Sequence, residues 1–277
     1  MNPLQQLSQL GQSVWLDSLD RDLLESGRLQ RLVEQDGLKG VTSNPTIFEQ
    51  AISGSEHTLP AVLRALEQNP SAAAEQVYEE LAVADIQRAC DILRPVYAQT
   101  QCRDGYVSLE VSPRLARDAA RTMTEGQRLW RRVARPNLMI KVPGTAECLP
   151  AIRGLISEGI NVNVTLLFSI TAYEQAAQAT MQGLRDRLDA GNDIAHVVSV
   201  ASFFISRIDT AVDKHLYTLA KQAAPEHKEQ LHALLGKAAI ANAKAAHAKR
   251  GKLHATPSWQ ELAGKGACPQ RLLWAST

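Results

Sequence analysis

Short apolar runs alternate with longer helical segments along this chain, and no other feature limits its fold as strongly. The runs are rich in β-branched residues and predict seven strands, at residues 13–17, 38–44, 105–111, 138–143, 160–167, 196–204 and 271–275. Between them, apolar residues recur at helical spacing, as in residues 115–133. This alternation predicts an α/β fold with a parallel sheet, and the number of units favours a (β/α)8 TIM barrel over an open doubly wound sheet.

The size and composition of the chain agree with a barrel. It has 277 residues, of which 45% are hydrophobic and 21% are charged, enough for one barrel or for two smaller domains. We expect a single domain over residues 1–277. No GxGxxG or GxxxxGK[ST] loop follows a predicted strand, which weakens a nucleotide-binding alternative. The formal net charge of +1 gives no general attraction for nucleic acid or a membrane, so small molecules are the expected partners.

The cysteines and the N-terminal segment indicate the compartment. The four cysteines lie far apart without a CxxC pair, which signals neither a zinc site nor a disulfide framework and is typical of a reducing cytoplasm. The first residues, MNPLQQLSQLGQ, lack the basic and apolar regions of a signal peptide. No apolar run approaches the roughly 18 residues of a membrane span. We therefore expect a soluble, cytoplasmic protein without a membrane partner.

One lysine lies inside an apolar strand. Lys141 is the charged residue of the run LMIKVP at residues 138–143. Burial disfavours the ammonium form of a lysine, and a neutral amine can attack a carbonyl carbon to form a Schiff base. The alternative is a lysine that extends from a strand end into water. Its surroundings in the sequence favour the chemical interpretation.

Polar residues share one face of the predicted strands. In strand 160–167, Asn161, Asn163 and Thr165 alternate with apolar residues, and in strand 105–111 Ser108 and Glu110 do the same. Inside a barrel these polar groups must bond to each other or to a ligand. Active sites of barrels lie at the C-terminal strand ends, where the sequence places Asp17, Asn44, Glu110, Lys141, Asn163, Thr165, Ser202 and Arg207.

These residues stand in segments that resemble the transaldolases. The resemblance extends along essentially the whole chain and is to the long bacterial form, related to the transaldolase part of fused transaldolase/glucose-6-phosphate isomerase proteins. It is carried by GVTSNPTIF (40–48), VSLEVSP (107–113), MIKVPGT (139–145), INVNVTLLFS (160–169) and VASFFISRID (200–209). It implies a TIM barrel of the class I aldolase type.

The resemblance also implies a reaction and residue roles. Lys141 would form a Schiff base with a ketose phosphate, Asp17 would act as acid and base in carbon–carbon cleavage, and Glu110 with Thr165 would position a proton-carrying water. The released aldose phosphate would leave a dihydroxyacetone unit on the lysine for transfer to an acceptor aldose phosphate. The residues that would bind the substrate are Asn44, Asn163 and Ser202 for sugar hydroxyls, and Arg207 and Ser276 for the phosphate. No metal or cofactor is implied.

Several of these residues also have simpler interpretations. Asp17 is a suitable cap for a helix that begins near Asp20. Asn44 precedes Pro45 in a common turn pair, and Glu110 could form a structural ion pair with Lys141. Arg207 could pair with Asp209 or Asp213 on a helix surface. The alanine- and lysine-rich residues 238–254 predict an exposed helix without an assigned function.

The predicted strands end with the seventh, at Ala275. By the resemblance, an eighth strand that closes the barrel is missing, and the domain is incomplete at its C-terminus. An open barrel exposes strand edges, which leaves a homo-oligomer as one outcome. Two interpretations of function therefore stay open. The first is an active transaldolase, with an aldolase that does not transfer as a close variant, and the second is an inactive remnant of a transaldolase.

Overall fold

The computed structural model describes residues 2–44 and 58–277. The end of the GVTSNPTIF segment, from Pro45 onward, lies outside the described residues. Within them the strands are β1 (Trp15–Leu16), β2 (Gly40–Thr42), β3 (Tyr106–Glu110), β4 (Leu138–Pro143), β5 (Val162–Leu167), β6 (Ser199–Phe204) and β7 (Arg271–Ala275). All seven predicted strands are confirmed, and β4 and β7 have the predicted bounds.

Helices connect the strands and follow the predicted pattern. In the described part of the chain they are α1 (Pro3–Gln9), α2 (Arg21–Glu25), α3 (Arg28–Asp36), α4 (Leu59–Gln68), α5 (Ala74–Gln99), α6 (Ala119–Val133), α7 (Leu149–Ser157), α8 (Ile170–Asp189), α9 (Ser206–Ala220), α10 (Pro225–Ala233), α11 (Ala238–His254) and α12 (Pro257–Gly264). The predicted start of α6 at residue 115 was wrong, because Pro113–Leu115 forms a separate 3₁₀ turn. The predicted helix at 238–254 is α11, which is only partly exposed, because Ala239, Ala246 and Leu253 are buried.

The backbone divides into two compact units. The first comprises Met1–Leu115 and Thr124–Lys141, and the second comprises Ala116–Met123 and Val142–Thr277. In the first unit, β1 to β4 pair in parallel, with Trp15 opposite Gly40, Val41 opposite Val107 and Glu110 opposite Lys141. Strands β2 and β4 are buried throughout and β3 up to Glu110, as expected for a parallel sheet covered by helices, whereas β1 is half-buried.

In the second unit, β5, β6 and β7 pair in parallel, and α8 packs beside them with Tyr173 buried against Phe203. Helix α8 begins where Ser169 accepts a hydrogen bond from the N–H of Ala172, at 3.1 Å. Within each unit the strands pair in the order in which they occur along the chain. This is the α/β order of a TIM barrel, with seven strands in the described residues and no eighth among them.

Candidate active site

Lys141 is buried on β4 and has two acceptors within the described residues of the first unit. Its Nζ lies 3.2 Å from Glu110 Oε2 and donates a hydrogen bond to the main-chain oxygen of Ser43 at 3.1 Å. The lysine and glutamate side chains are each less than a tenth exposed. The interpretation of Lys141 as a lysine that reaches into water was therefore wrong, because its amine ends among polar groups of β2 and β3.

The carboxyl group of Glu110 is held close to Lys141 by strand pairing. Glu110 and Lys141 occupy opposite positions on β3 and β4. Burial raises the pKa of Glu110 above its usual range, the positive charge and hydrogen bond of Lys141 oppose this rise, and the negative charge of Asp17 adds to it. The ion pair is therefore suited to passing a proton from the amine to the carboxylate, because the glutamate accepts a proton more readily than an exposed one does.

Asp17 follows β1 directly and does not cap a helix. The N-cap of α2 is Asp20, whose Oδ1 accepts a hydrogen bond from the N–H of Leu23 at 2.7 Å. Asp17 Oδ1 instead accepts a hydrogen bond of 2.5 Å from the hydroxyl of Thr42. The capping interpretation of Asp17 was therefore wrong, and the carboxylate is held at the C-terminal end of β2.

The residues that follow β2 lie beside Lys141 and Glu110. Ser43 is fully buried, and its hydroxyl donates to the carbonyl oxygen of Ser108 on β3 at 2.7 Å. Asn44 comes next and is half-buried. Thr42 and Ser43 were not predicted as site residues, although both stand in the quoted GVTSN segment beside Asn44. The signal that could have found them is their place at the end of a strand.

In the second unit, two of the predicted residues form a direct hydrogen bond. The hydroxyl of Ser202 on β6 donates to Oδ1 of Asn163 on β5 at 2.7 Å, and both residues are buried. Their strands are neighbours, with Asn163 opposite Val200. The bond provides a partner for polar groups that would otherwise be costly to bury.

Thr165 is buried where the backbone of β5 is irregular. The pairing of β5 with β6 shifts register between Val164 and Leu167, and Leu166 has a φ of +60° and an exposed side chain. The carbonyl of Thr165 accepts a hydrogen bond from the N–H of Gly144 at 2.8 Å. The bulge therefore interrupts the regular pairing of β5 directly after Thr165.

Arg207 lies in the first turn of α9 and is exposed. Its guanidinium lies 4.7 Å from the ring centroid of Phe204, which itself stacks on Phe168 at 5.0 Å. Within the described residues, the surface pairs of Arg207 with Asp209 and Asp213 do not form. Asp209 accepts from the N–H of Ala239, and Asp213 accepts from the N–H of Gly236.

Ser276 is tied to the start of α9. The hydroxyls of Ser276 and Ser206 lie 2.8 Å apart, and the N–H of Ser206 donates to the carbonyl of Ser276, also at 2.8 Å. Because Ser206 directly precedes Arg207, these bonds keep the Ser276 hydroxyl near the first turn of α9. The two predicted phosphate ligands thus belong to one local structure in the second unit.

Among residues 2–44 and 58–277, no group of three or more histidine, cysteine, aspartate or glutamate side chains could hold a metal ion. In the same part of the chain, no helix is both long enough and apolar enough to cross a membrane.

Comparisons with known proteins agree on one family. A family model described as transaldolase/fructose-6-phosphate aldolase matches residues 14–262. "Transaldolase 2" of Nostoc punctiforme is 47% identical over 281 residues, which cover 100% of this chain and 72% of the relative. The transaldolases of Thermobifida fusca and Thiobacillus denitrificans are 48% and 47% identical, and the alignments cover 100% of this chain and 73% and 75% of those proteins. This chain therefore belongs to the transaldolase/fructose-6-phosphate aldolase family.

Proposed function

We propose that this chain is a transaldolase, an enzyme that moves a dihydroxyacetone unit from a ketose phosphate to an aldose phosphate through a Schiff base on Lys141. The observation that carries the proposal is the buried contact of 3.2 Å between Lys141 Nζ and Glu110 Oε2 at the end of β4. A lysine has few structural reasons to occupy such a position, whereas an amine that loses its proton to a neighbouring base is a nucleophile. Sedoheptulose 7-phosphate and fructose 6-phosphate are the proposed donors.

The first step joins the lysine to the donor ketone. Glu110 takes, through a water molecule, the proton of the one Lys141 ammonium N–H that points neither to Glu110 nor to Ser43. The lone pair left at that position attacks the carbonyl carbon. Loss of one water, whose leaving oxygen must be protonated, gives an iminium ion. In our proposal Glu110 and Thr165 supply and remove these protons through a water molecule, which general acid–base catalysis accelerates by roughly 10² to 10⁴-fold.

The second step breaks a carbon–carbon bond. Asp17 removes the proton of the donor hydroxyl next to that bond, the hydroxyl oxygen becomes the carbonyl oxygen of the aldose phosphate, and the bonding electrons move to the iminium nitrogen to form an enamine. The contact with Thr42 supports this role because it keeps the Asp17 carboxylate oriented at the end of β2. The enamine carbon then attacks the aldehyde carbon of glyceraldehyde 3-phosphate or erythrose 4-phosphate, and the aldehyde oxygen takes the proton from Asp17. Addition of water to the new iminium releases the product ketose and frees Lys141.

The remaining predicted residues bind the sugar phosphate in this proposal. Asn44, Asn163 and Ser202 hydrogen-bond to sugar hydroxyls, and the bond between Ser202 and Asn163 supports the assignment of this pair. Arg207 and Ser276 bind the phosphate, which the local link through Ser206 supports. A guanidinium and a hydroxyl together offer charge-assisted and neutral hydrogen bonds to phosphate oxygens.

The relatives favour transfer over the other functions considered. Each of the three proteins compared is named a transaldolase, and identity of 47–48% extends along this whole chain. An inactive remnant and an aldolase without transfer are therefore not favoured. We place the reaction in the non-oxidative pentose phosphate pathway of the cytoplasm, in line with four free cysteines. A homo-oligomer stays a prediction.

Borohydride trapping tests the proposed function. We expect fructose 6-phosphate followed by borohydride to leave a reduced dihydroxyacetone adduct on Lys141, located by peptide mass spectrometry. The matched control is Lys249→Ala, because Lys249 also forms a lysine–glutamate ion pair, with Glu174 at 2.9 Å, and should not affect the yield. Folded protein without an adduct, or with the adduct on another lysine, would contradict the proposal.

The raised pKa of Glu110 predicts a particular pH dependence. If the carboxylate accepts the lysine proton, the rate of imine formation falls on the acid side as Glu110 becomes protonated, with a midpoint above the ordinary 4.5 of a glutamate. Glu110→Gln should lower the trapping rate about 10²-fold and remove this acid limb. Glu261→Gln is the matched control, because Glu261 forms an ion pair with Arg185 at 2.6 Å on α12, and its profile should equal that of the wild type. An acid limb that persists in Glu110→Gln would assign the titration to another group.

A further inference from the structure

The main chain at Ser43 is built into the surroundings of the Lys141 amine. The carbonyl oxygen of Ser43 accepts a hydrogen bond from Lys141 Nζ at 3.1 Å, and the hydroxyl of the same residue donates to Ser108 O at 2.7 Å. Ser43 and Ser108 are fully buried, and Lys141 is nearly so. Pairing of β2 with β3 ends at Thr42 and Ser108. The Ser43 hydroxyl therefore continues the link between these strands by one residue.

The number of acceptors matters for a nucleophilic amine. A neutral amine has two N–H bonds and one lone pair, arranged with its carbon as a tetrahedron. Within the described residues, Lys141 Nζ has two acceptors, the carbonyl of Ser43 and the carboxylate of Glu110. When both N–H bonds are directed at these two oxygens, the lone pair can point in only one direction, away from both. With one acceptor alone, either N–H bond could be directed at it, and the lone pair could then point in more than one direction.

We propose that Ser43 is a positioning residue for the Lys141 nucleophile, because its hydroxyl fixes its own carbonyl as the second acceptor that directs the amine lone pair toward the substrate carbonyl. This inference rests on the proposed Schiff-base function and adds to it a residue that does not touch the substrate. Proper alignment of the attacking orbital is a large part of the advantage of an enzymatic reaction over one in solution. The Ser43 hydroxyl contributes by its hydrogen bond to Ser108 O, which fixes the main chain at the end of β2. The Ser43 carbonyl oxygen cannot change direction once this part of the main chain is fixed.

The test is the rate of imine formation at Lys141 in Ser43 variants. Ser43→Ala removes the donor to Ser108 O, and Ser43→Cys keeps a side chain of similar size with a weaker donor. Each protein is treated with fructose 6-phosphate and borohydride, and in a second arm with formaldehyde and cyanoborohydride, which requires an imine but no sugar cleavage. Peptide mass spectrometry measures the fraction of Lys141 that is modified at each time, which gives the rate. The modified fraction of Lys249 in the same sample is the internal reference.

We expect the rate at Lys141 to decrease about tenfold in Ser43→Ala and less in Ser43→Cys, as for loss of one buried hydrogen bond. The rate at Lys249 and the KM for fructose 6-phosphate should not change. Ser157→Ala is the matched control, because the Ser157 hydroxyl on α7 also donates to a main-chain carbonyl, that of Gly154, at 2.7 Å. It should lower stability by a similar amount and leave the Lys141 rate unchanged.

The outcomes separate this inference from the function on which it rests. If the wild type forms the sugar adduct and Ser43→Ala and Ser43→Cys react at the wild-type rate per site, Ser43 has only a structural role and the inference is overturned. If the wild type forms no sugar adduct but its reaction with formaldehyde still depends on the Ser43 hydroxyl, the proposed transaldolase function fails and the positioning of Lys141 stands. Should Ser43→Ala not fold, the rate of Ser43→Cys decides.

Discussion

Replacing Lys141 with arginine should abolish dihydroxyacetone transfer while keeping a positive charge beside Glu110. A guanidinium has a pKa above about 12 and cannot supply a neutral amine, so it can form the ion pair but not the Schiff base. We expect transfer from fructose 6-phosphate to fall by at least about 10⁴-fold in a coupled assay, to the background rate. Residual transfer near the wild-type rate would mean that Lys141 acts only as a cation.

Lys141→Met, which removes the charge as well, should be equally inactive and should also show how the fold tolerates an unpaired Glu110. Burial raises the pKa of Glu110, and loss of Lys141 removes the influence that opposes this rise. In the folded variant Glu110 keeps its proton up to a raised pKa, whereas in the unfolded chain it loses the proton at its ordinary pKa. The stability of the variant relative to the wild type should therefore decrease as pH rises through the folded pKa of Glu110. At low pH, where Glu110 is neutral in both states, the difference should be smallest. Urea unfolding of both proteins across this pH range measures it.

The strands were the most predictable part of the molecule. Runs such as LMIKVP are too apolar for a surface and too short for a buried helix, and the bounds of β4 were predicted without error. The outermost strand of the first unit was predicted too long, because β1 pairs with β2 only at Trp15 and Leu16. The length of a parallel strand depends on its partner, and the sequence of one strand does not contain that information.

The site was predictable where side chains carry the signal. Alternation along β3 places Glu110 on the same face as Ser108, and the register of β3 with β4 places it opposite Lys141. A charged residue in an apolar strand needs a partner, so the two residues could be predicted to interact. The capping interpretation of Asp17 failed for a local reason, since two aspartates lie near the start of α2 and only Asp20 reaches the N–H of Leu23. A helix boundary predicted to within a few residues cannot separate two such candidates.

Contacts made by the main chain were not predictable. One of the two acceptors of the Lys141 amine is the carbonyl of Ser43, and every residue has a carbonyl, so no residue type marks this one. The placement of the Arg207 guanidinium over Phe204 depends on side-chain rotamers at the start of α9. In both cases the residues were present in the quoted segments, and the geometry that gives them a function came only from the fold.

Gly105→Ala should cause the largest loss of stability among single changes near the site, because two separate costs add at this residue. Gly105 precedes β3 and has a φ of +83°, a conformation that costs an alanine about 1–2 kcal/mol. An added Cβ would also lie 2.4 Å from the backbone nitrogen of Tyr97 and 2.8 Å from the carbonyl oxygen of Leu93, both on α5. Backbone atoms cannot rotate away, so the start of β3 must move.

Two hydrogen bonds oppose that movement. The N–H of Gly105 donates to the carbonyl of Lys39 at 2.7 Å, and its carbonyl accepts from the buried side chain of Asn137 at 2.8 Å. We therefore expect the free energy of unfolding, measured in urea, to fall by about 2–5 kcal/mol, the sum of the backbone strain and a further 1–3 kcal/mol from overpacking. Because β3 carries Glu110, the trapping rate at Lys141 should also fall in the protein that remains folded.

Gly191→Ala separates the two costs. Gly191 has nearly the same backbone conformation, with a φ of +78°, but an added Cβ would meet no atom within 4 Å. This variant should lose only the conformational term, about 1–2 kcal/mol, and keep the wild-type trapping rate. Equal losses in the two variants would show that α5 and β3 move apart without cost. A clearly larger loss in Gly105→Ala would show instead that close packing of α5 on the start of β3 holds the strand, and Glu110 with it, in place.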